Sequence, residues 1–199
     1  MNCKGQMFLI AAAIIITSLV ILLSNINFVS PDIQKRYIEN SLENKIFENL
    51  KEEIAKVPIY SFYNEINENV LNFLQFLEKY LSSKGFDFNA FYLSINYSGS
   101  YIANVTIINF FDNEINVTLV LNSSPEQIES FIAQKNTIYN VSFSVNANDN
   151  YNLNVKYEEN EENITFNTYN PSYKYFFDLI FTSNLGIRRS KEMKELNIS

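Results

Sequence analysis

Residues 4 to 25 read KGQMFLIAAAIIITSLVILLSN, in which an apolar run broken only by Thr17 and Ser18 follows Lys4 and Gly5. From Met7 to Leu23 it covers 17 residues, and from Gln6 to Val29 it covers 24. At 1.5 Å per helical residue these lengths give roughly 26 to 36 Å, which brackets the ~30 Å hydrocarbon thickness of a bilayer. A core helix of a globular domain rarely carries so long an uncharged run, so the pattern predicts an N-terminal transmembrane helix over residues 6–29.

Removal of the segment as a secretory signal is disfavoured. Such signals have an apolar region of ~7–15 residues and a small-x-small cleavage site. The stretch Ser24-Asn25-Ile26-Asn27-Phe28-Val29 offers no such site, and Cys3 precedes the run instead of following it. Lys4 and the α-amino group lie ahead of the helix and the bulk of the polar chain lies behind it, although Lys35 and Arg36 also follow the run. Positive charge retained inside implies a single-pass cell-membrane topology, with the N-terminus inside and the C-terminal domain outside.

Beyond Ser30-Pro31, a cap-and-first-turn pair, the period is helical. Ile33, Tyr37, Ile38, Leu42, Ile46, Leu50, Ile54 and Val57 recur at three- and four-residue steps, and Pro58 marks the expected end. A second amphipathic helix places Ile66, Val70, Phe73, Leu74, Leu77, Tyr80 and Leu81 on one face, with Gly85 as its stop. Both stripes read as packing surfaces, either against the C-terminal domain or against neighbouring subunits.

From Phe86 the period changes to two. Runs such as YIANVTIINFF, EINVTLVLN and SYKYFFDLIFTSN are separated by turn signals at about 8–12-residue spacing, the pattern of an antiparallel β-sandwich or open barrel. SSPEQIESFIAQ interrupts them, and its Ser124, Pro125 and Gln127 suggest a capped short helix or loop. The final GIRRSKEMKELNIS suits an edge strand with a frayed tail. The expected fold is therefore α+β: an N-terminal transmembrane helix, two amphipathic helices and a C-terminal antiparallel β-sandwich.

Seven Asn-x-Ser/Thr sequons occur, at Asn96, Asn104, Asn116, Asn122, Asn140, Asn163 and Asn197, all beyond Phe88. Two readings stand side by side: strand-and-turn composition, and N-glycosylation of an exported glycoprotein.

The chain carries little catalytic machinery. It has no His and a single Cys, which removes a His general base, His or multi-Cys metal clusters and an internal disulfide. The formal net charge of −7 argues against nucleic acid as a partner. With only four Gly in the chain there is no phosphate loop or dinucleotide fingerprint. Glu158, Glu159, Glu161 and Glu162 form an acidic turn whose spacing matches no EF-hand loop. No pair of carboxylates stands out for glycosidase-type chemistry. The expectation is no enzyme, with no catalytic, cofactor-binding or metal residue.

The tripeptide Lys4-Gly5-Gln6, set directly before the apolar run, resembles the class III signal of archaeal pilins and archaellins. The resemblance covers about 25 residues, with three in the motif proper. It implies cleavage between Gly5 and Gln6 by a prepilin-type peptidase and retention of the apolar helix, which in that family packs into a filament core. Many pilins place a Glu five residues into the mature chain, where this sequence has Ile10. The implied organisation is a cytoplasmic leader over 1–5, a transmembrane helix over 6–29, a helical stalk over 31–85 and an extracellular β-sandwich domain over 86–199. The implied role is that of a membrane-anchored, outward-facing, pilin-like structural or adhesive surface protein, partnered by the membrane and by like subunits in a filament. The alternative is an uncleaved signal-anchored protein whose sandwich binds another envelope component, such as the surface layer.

Overall fold

The computed structural model describes residues 31–61 and 65–197. The chain divides into two compact units, Met1–Asn44 and Lys45–Ser199, and the second holds both sheets.

Helix α1 spans Pro31–Tyr60. It runs two residues past Pro58, because a proline in the last turn removes only its own N–H bond. Ser61 then closes the end, its N–H and its hydroxyl both donating to the Val57 carbonyl at 3.1 and 2.7 Å. Helix α2 spans Ile66–Ser82 and buries Ile66, Val70, Leu74, Leu77 and Leu81, one face at i, i+4, i+8, i+11 and i+15. Phe73 is only partly buried and Tyr80 faces solvent. Gly85, at φ +78°, provides the left-handed turn that brings the Phe86 N–H back to the Leu81 carbonyl at 3.1 Å.

Nine strands follow: β1 Asp87–Tyr97, β2 Ile102–Phe110, β3 Ile115–Leu121, β4 Gln127–Ala133, β5 Thr137–Ser144, β6 Asn150–Tyr157, β7 Asn160–Asn167, β8 Ser172–Ser183 and β9 Gly186–Asn197. They form two separate antiparallel sheets, ordered β5-β2-β1-β8-β9 and β4-β3-β6-β7.

Period-two alternation distributes the side chains between two cores. On β1, Phe91, Leu93 and Ile95 face the four-stranded sheet, where they meet Val117, Leu119 and Val155. The intervening Ala90 and Tyr92 face the other way, onto a cluster with Leu50, Ile54, Leu74 and Phe177. Strands β1 and β8 are therefore covered on both faces, which explains their nearly unbroken apolar and aromatic sequence. The four-stranded sheet has one covered face, and β6 alternates cleanly: Leu153, Val155 and Tyr157 inward, Asn152, Asn154 and Lys156 outward.

Two polar devices fix the layers. Where α2 meets the five-stranded sheet, the Asn67 carboxamide oxygen accepts from the hydroxyls of Tyr173 at 2.9 Å, Tyr92 at 3.1 Å and Ser94 at 3.2 Å. Its amide nitrogen donates to Thr106 Oγ1 at 3.0 Å. At the sheet edge, Gln127 of β4 bridges to β5: its Nε2 donates to the Ser144 carbonyl at 2.7 Å, and its Oε1 accepts from the Ser144 N–H at 2.9 Å. One side chain thus reproduces a pair of ladder bonds between two strands of different sheets.

Two sequence expectations are corrected. SSPEQIESFIAQ forms no helix; it supplies strand β4, with Phe131 and Ala133 turned inward two residues apart. Gln127 serves as an edge clamp instead of completing a capping box. The transmembrane reading is corrected as well, since among the described residues no helix is long and apolar enough to cross a membrane. Helix α1, at ~45 Å, has the length but carries charges such as Glu48, Lys51, Glu52, Glu53 and Lys56 along it. Helix α2 has only 17 residues and includes Glu68, Glu78 and Lys79. Residues 6–29, to which the span was assigned, lie outside the described residues. Membrane anchoring, single-pass localisation, the membrane and filament partners, the pilin-like surface role and the signal-anchored alternative all rested on that helix, and no helix among the described residues supplies a membrane span.

Candidate functional site

On the outer face of the four-stranded sheet, β3, β6 and β7 present mostly Asn and Thr, while the edge strand β4 adds the exposed Ile128 and Ile132. Register places Asn152 opposite Thr165, Asn154 opposite Asn163, and Lys156 opposite Glu161. Toward one end of this face lies an open concavity of about 380 Å³, lined by Asn122, Asn150, Asn152, Thr165, Asn167 and Lys174, with Tyr151 and Phe166 behind them. Tyr151 and Phe166 are buried and stack at 5.5 Å, forming a stiff floor.

The rim is held by Thr168, which is buried. Its hydroxyl donates to the Asn146 carbonyl at 2.6 Å and accepts from the Asp149 N–H at 2.9 Å, stitching the β5–β6 loop to the end of β7. Asn148 in that loop sits at φ +58°, a conformation that Asn adopts more readily than most residues. Asn150 Nδ2 donates to the hydroxyl of the exposed Tyr169 at 3.1 Å.

Charge is nearly absent from the concavity. Lys174 is its one ionic group; its Nζ donates to the Thr165 carbonyl at 2.6 Å and pairs with Glu195 at 3.1 Å. The Asn152 carboxamide oxygen is buried and has no hydrogen-bond partner among the described residues. The Asn154 oxygen, next on the same face, is also buried without a partner among the described residues, and each such acceptor costs roughly 1–3 kcal/mol. A second concavity, about 510 Å³, adjoins the first through Tyr151 and is lined by Tyr101, Ser124, Gln127 and Asn146 among others.

Of the sequons, Asn116, Asn122 and Asn163 are exposed on or beside this sheet, and Asn122 lies on the wall of the first concavity. Asn96 and Asn104 pair across β1 and β2 on the five-stranded sheet. Asn104 Oδ1 accepts from Ser142 at 2.8 Å and Asn140 Oδ1 from Thr106 at 2.8 Å. The side chain of Asn197 and the pair Gly5 and Gln6 lie outside the described residues. Two glutamates of the acidic turn form ion pairs, Glu161 with Lys156 and Glu162 with Lys191.

A second constellation had no sequence signal. Asp178 is fully buried and is held by Arg189 and by the Tyr157 hydroxyl at 2.7 Å. Burial, reinforced by Asp178, raises the Tyr157 pKa well above its usual value. The Asp178 hydrogen bond raises the Arg189 pKa in turn. Tyr157 stacks flat on Phe91 at 4.0 Å. This cluster ties β8 to β6 and β9 and acts as a structural clamp.

No protein-family model, no curated protein and no solved structure matches this chain.

Proposed function

We propose that the unit Lys45–Ser199 is a non-catalytic binding module that takes a neutral, polyhydroxylated ligand, a saccharide, in the concavity walled by Asn122, Asn150, Asn152 and Asn167. The observation that supports this reading is the set of four carboxamide side chains, Asn122, Asn150, Asn152 and Asn167, that line one concavity beside a lysine already paired with Glu195. Carboxamides offer a donor and an acceptor on one planar group, which suits vicinal hydroxyls that each donate and accept. The volume falls in the ~300–1,000 Å³ range of small-molecule clefts. A strongly anionic or cationic ligand would meet no free countercharge on these walls.

The test is calorimetric titration of the full chain, prepared without N-glycans, with neutral and acidic oligosaccharides. Binding confined to neutral sugars, and weakened about tenfold by Asn152→Ala, supports the reading. No heat from any neutral sugar at millimolar concentration overturns it, as does tighter binding of acidic sugars that Asn152→Ala leaves unchanged.

A further inference from the structure

Resting on the saccharide reading, we infer that the two adjoining concavities are consecutive subsites for an extended sugar chain, with Tyr101 as the platform of the distal one. Tyr151 lines both, and Asn122 of the first is followed in the chain by Ser123 of the second, so the two concavities are neighbours. The distal subsite is larger, about 510 Å³ against about 380 Å³.

Its hydrogen-bonding groups divide into used and available. The Gln127 carboxamide is committed to Ser144 and Ser123, and the Ser123 hydroxyl to the Pro125 carbonyl at 2.6 Å. The Asn146 backbone is also engaged, its N–H donating to the Tyr151 hydroxyl at 2.6 Å, which leaves the Asn146 side chain and the Ser124 hydroxyl facing a ligand. Tyr101 is 71% exposed, a large ring left in water at the rim. Its carbonyl accepts from the Val145 N–H at 3.0 Å, so its backbone is anchored while the ring stays accessible. A ring with an apolar face and a polar tip is suited to cover the C–H face of a pyranose. The proximal concavity supplies hydrogen bonds to hydroxyls and the distal one a stacking surface; a single sugar cannot use both.

The experiment is a length series: neutral cello-, malto- and manno-oligosaccharides of two to six units, titrated into the full chain free of N-glycans. The inference expects one series to gain about tenfold in affinity from the shortest to the longest member. Tyr101→Ala should flatten that gain to less than about threefold, while Asn152→Ala weakens every length alike. Because Tyr101 is largely exposed, its replacement leaves the fold intact, and an unchanged far-UV spectrum verifies this. Binding that is independent of length, or a length dependence untouched by Tyr101→Ala, overturns the two-subsite inference and leaves the single-site reading standing. Absence of binding at every length overturns both.

Discussion

Arg189 closes on Asp178 with two nitrogens, its Nε lying 2.8 Å from Oδ1, and Asp178 has no exposed surface at all. The same guanidinium donates to Asn160 Oδ1 at 2.7 Å, so one side chain of the edge strand β9 locks a buried carboxylate and a residue of the other sheet. Removing a single partner of a buried ion pair leaves an uncompensated charge, which is far costlier than removing both. Arg189→Met should therefore destabilise the protein by about 2–4 kcal/mol in urea unfolding, discounted because the arginine is partly exposed. Adding Asp178→Asn should recover part of that loss, since the amide still accepts from Tyr157. A double variant less stable than Arg189→Met would refute the clamp.

Gln127 carries a different kind of load. Its carboxamide makes two bonds to the backbone of Ser144, joining β4 of one sheet to β5 of the other. Gln127→Ala should cost about 1–3 kcal/mol, through lost hydrogen bonds and an exposed strand edge. Amide hydrogen exchange locates the effect: protection at Ser144 should fall, while that of β1 and β8, buried on both faces, stays unchanged. Uniform loss of protection would show that the bond is not local in its action.

These two residues also show what a sequence conceals. The strands announce themselves by alternation, and β6 reads plainly as Leu153, Val155 and Tyr157 against Asn152, Asn154 and Lys156. The stripe of α2 is equally legible, because Ile66, Val70, Leu74, Leu77 and Leu81 share one helical face. Strand β4 was misread because Ser124, Pro125 and Gln127 satisfy a helix-start pattern that only tertiary pairing overrules. The Asp178 clamp was invisible, since 11 positions separate it from Arg189 and its third partner lies on another strand. The concavity, too, arises from register: Asn122, Asn152 and Thr165 become neighbours only when β3, β6 and β7 pair.

Burial on α2 should set the scale of its mutational costs. Leu74 is fully buried against the five-stranded sheet, whereas Phe76, two residues on, is 58% exposed between the rings of Phe73 and Tyr80. Leu74→Ala should cost about 2–5 kcal/mol, the usual range for a cavity in a well-packed core. Phe76→Ala, which removes a larger side chain, should cost under about 1 kcal/mol. Equal costs in parallel denaturant titrations would mean that the helix does not pack through the Leu74 face.

Alkaline pH should unfold the protein through its buried tyrosines. Burial pushes the Tyr175 pKa from 10.0 up to about 12, with Glu192 adding to the shift, and its hydroxyl donates to the Ala55 carbonyl at 2.7 Å. Tyr92 and Tyr157 are raised by burial as well. Because the folded state holds these protons longer than the unfolded chain, their stabilising contribution is complete below pH 10 and declines as pH rises toward 12. Each such tyrosine removes up to about 1.4 kcal/mol per pH unit over that window. Lys51 and Lys135, whose pKa values are raised by hydrogen bonds to Glu48 and Glu78, lose their ion pairs in the same range, so the wild-type slope is a sum. Tyr175→Phe isolates one contribution: it forfeits the Ala55 hydrogen bond at every pH but has no proton to lose. Urea unfolding between pH 9 and pH 11.5 should show the stability gap between wild type and Tyr175→Phe narrowing steadily above pH 10. A gap that stays constant across the range would mean that Tyr175 titrates in the folded protein as it does in the unfolded chain.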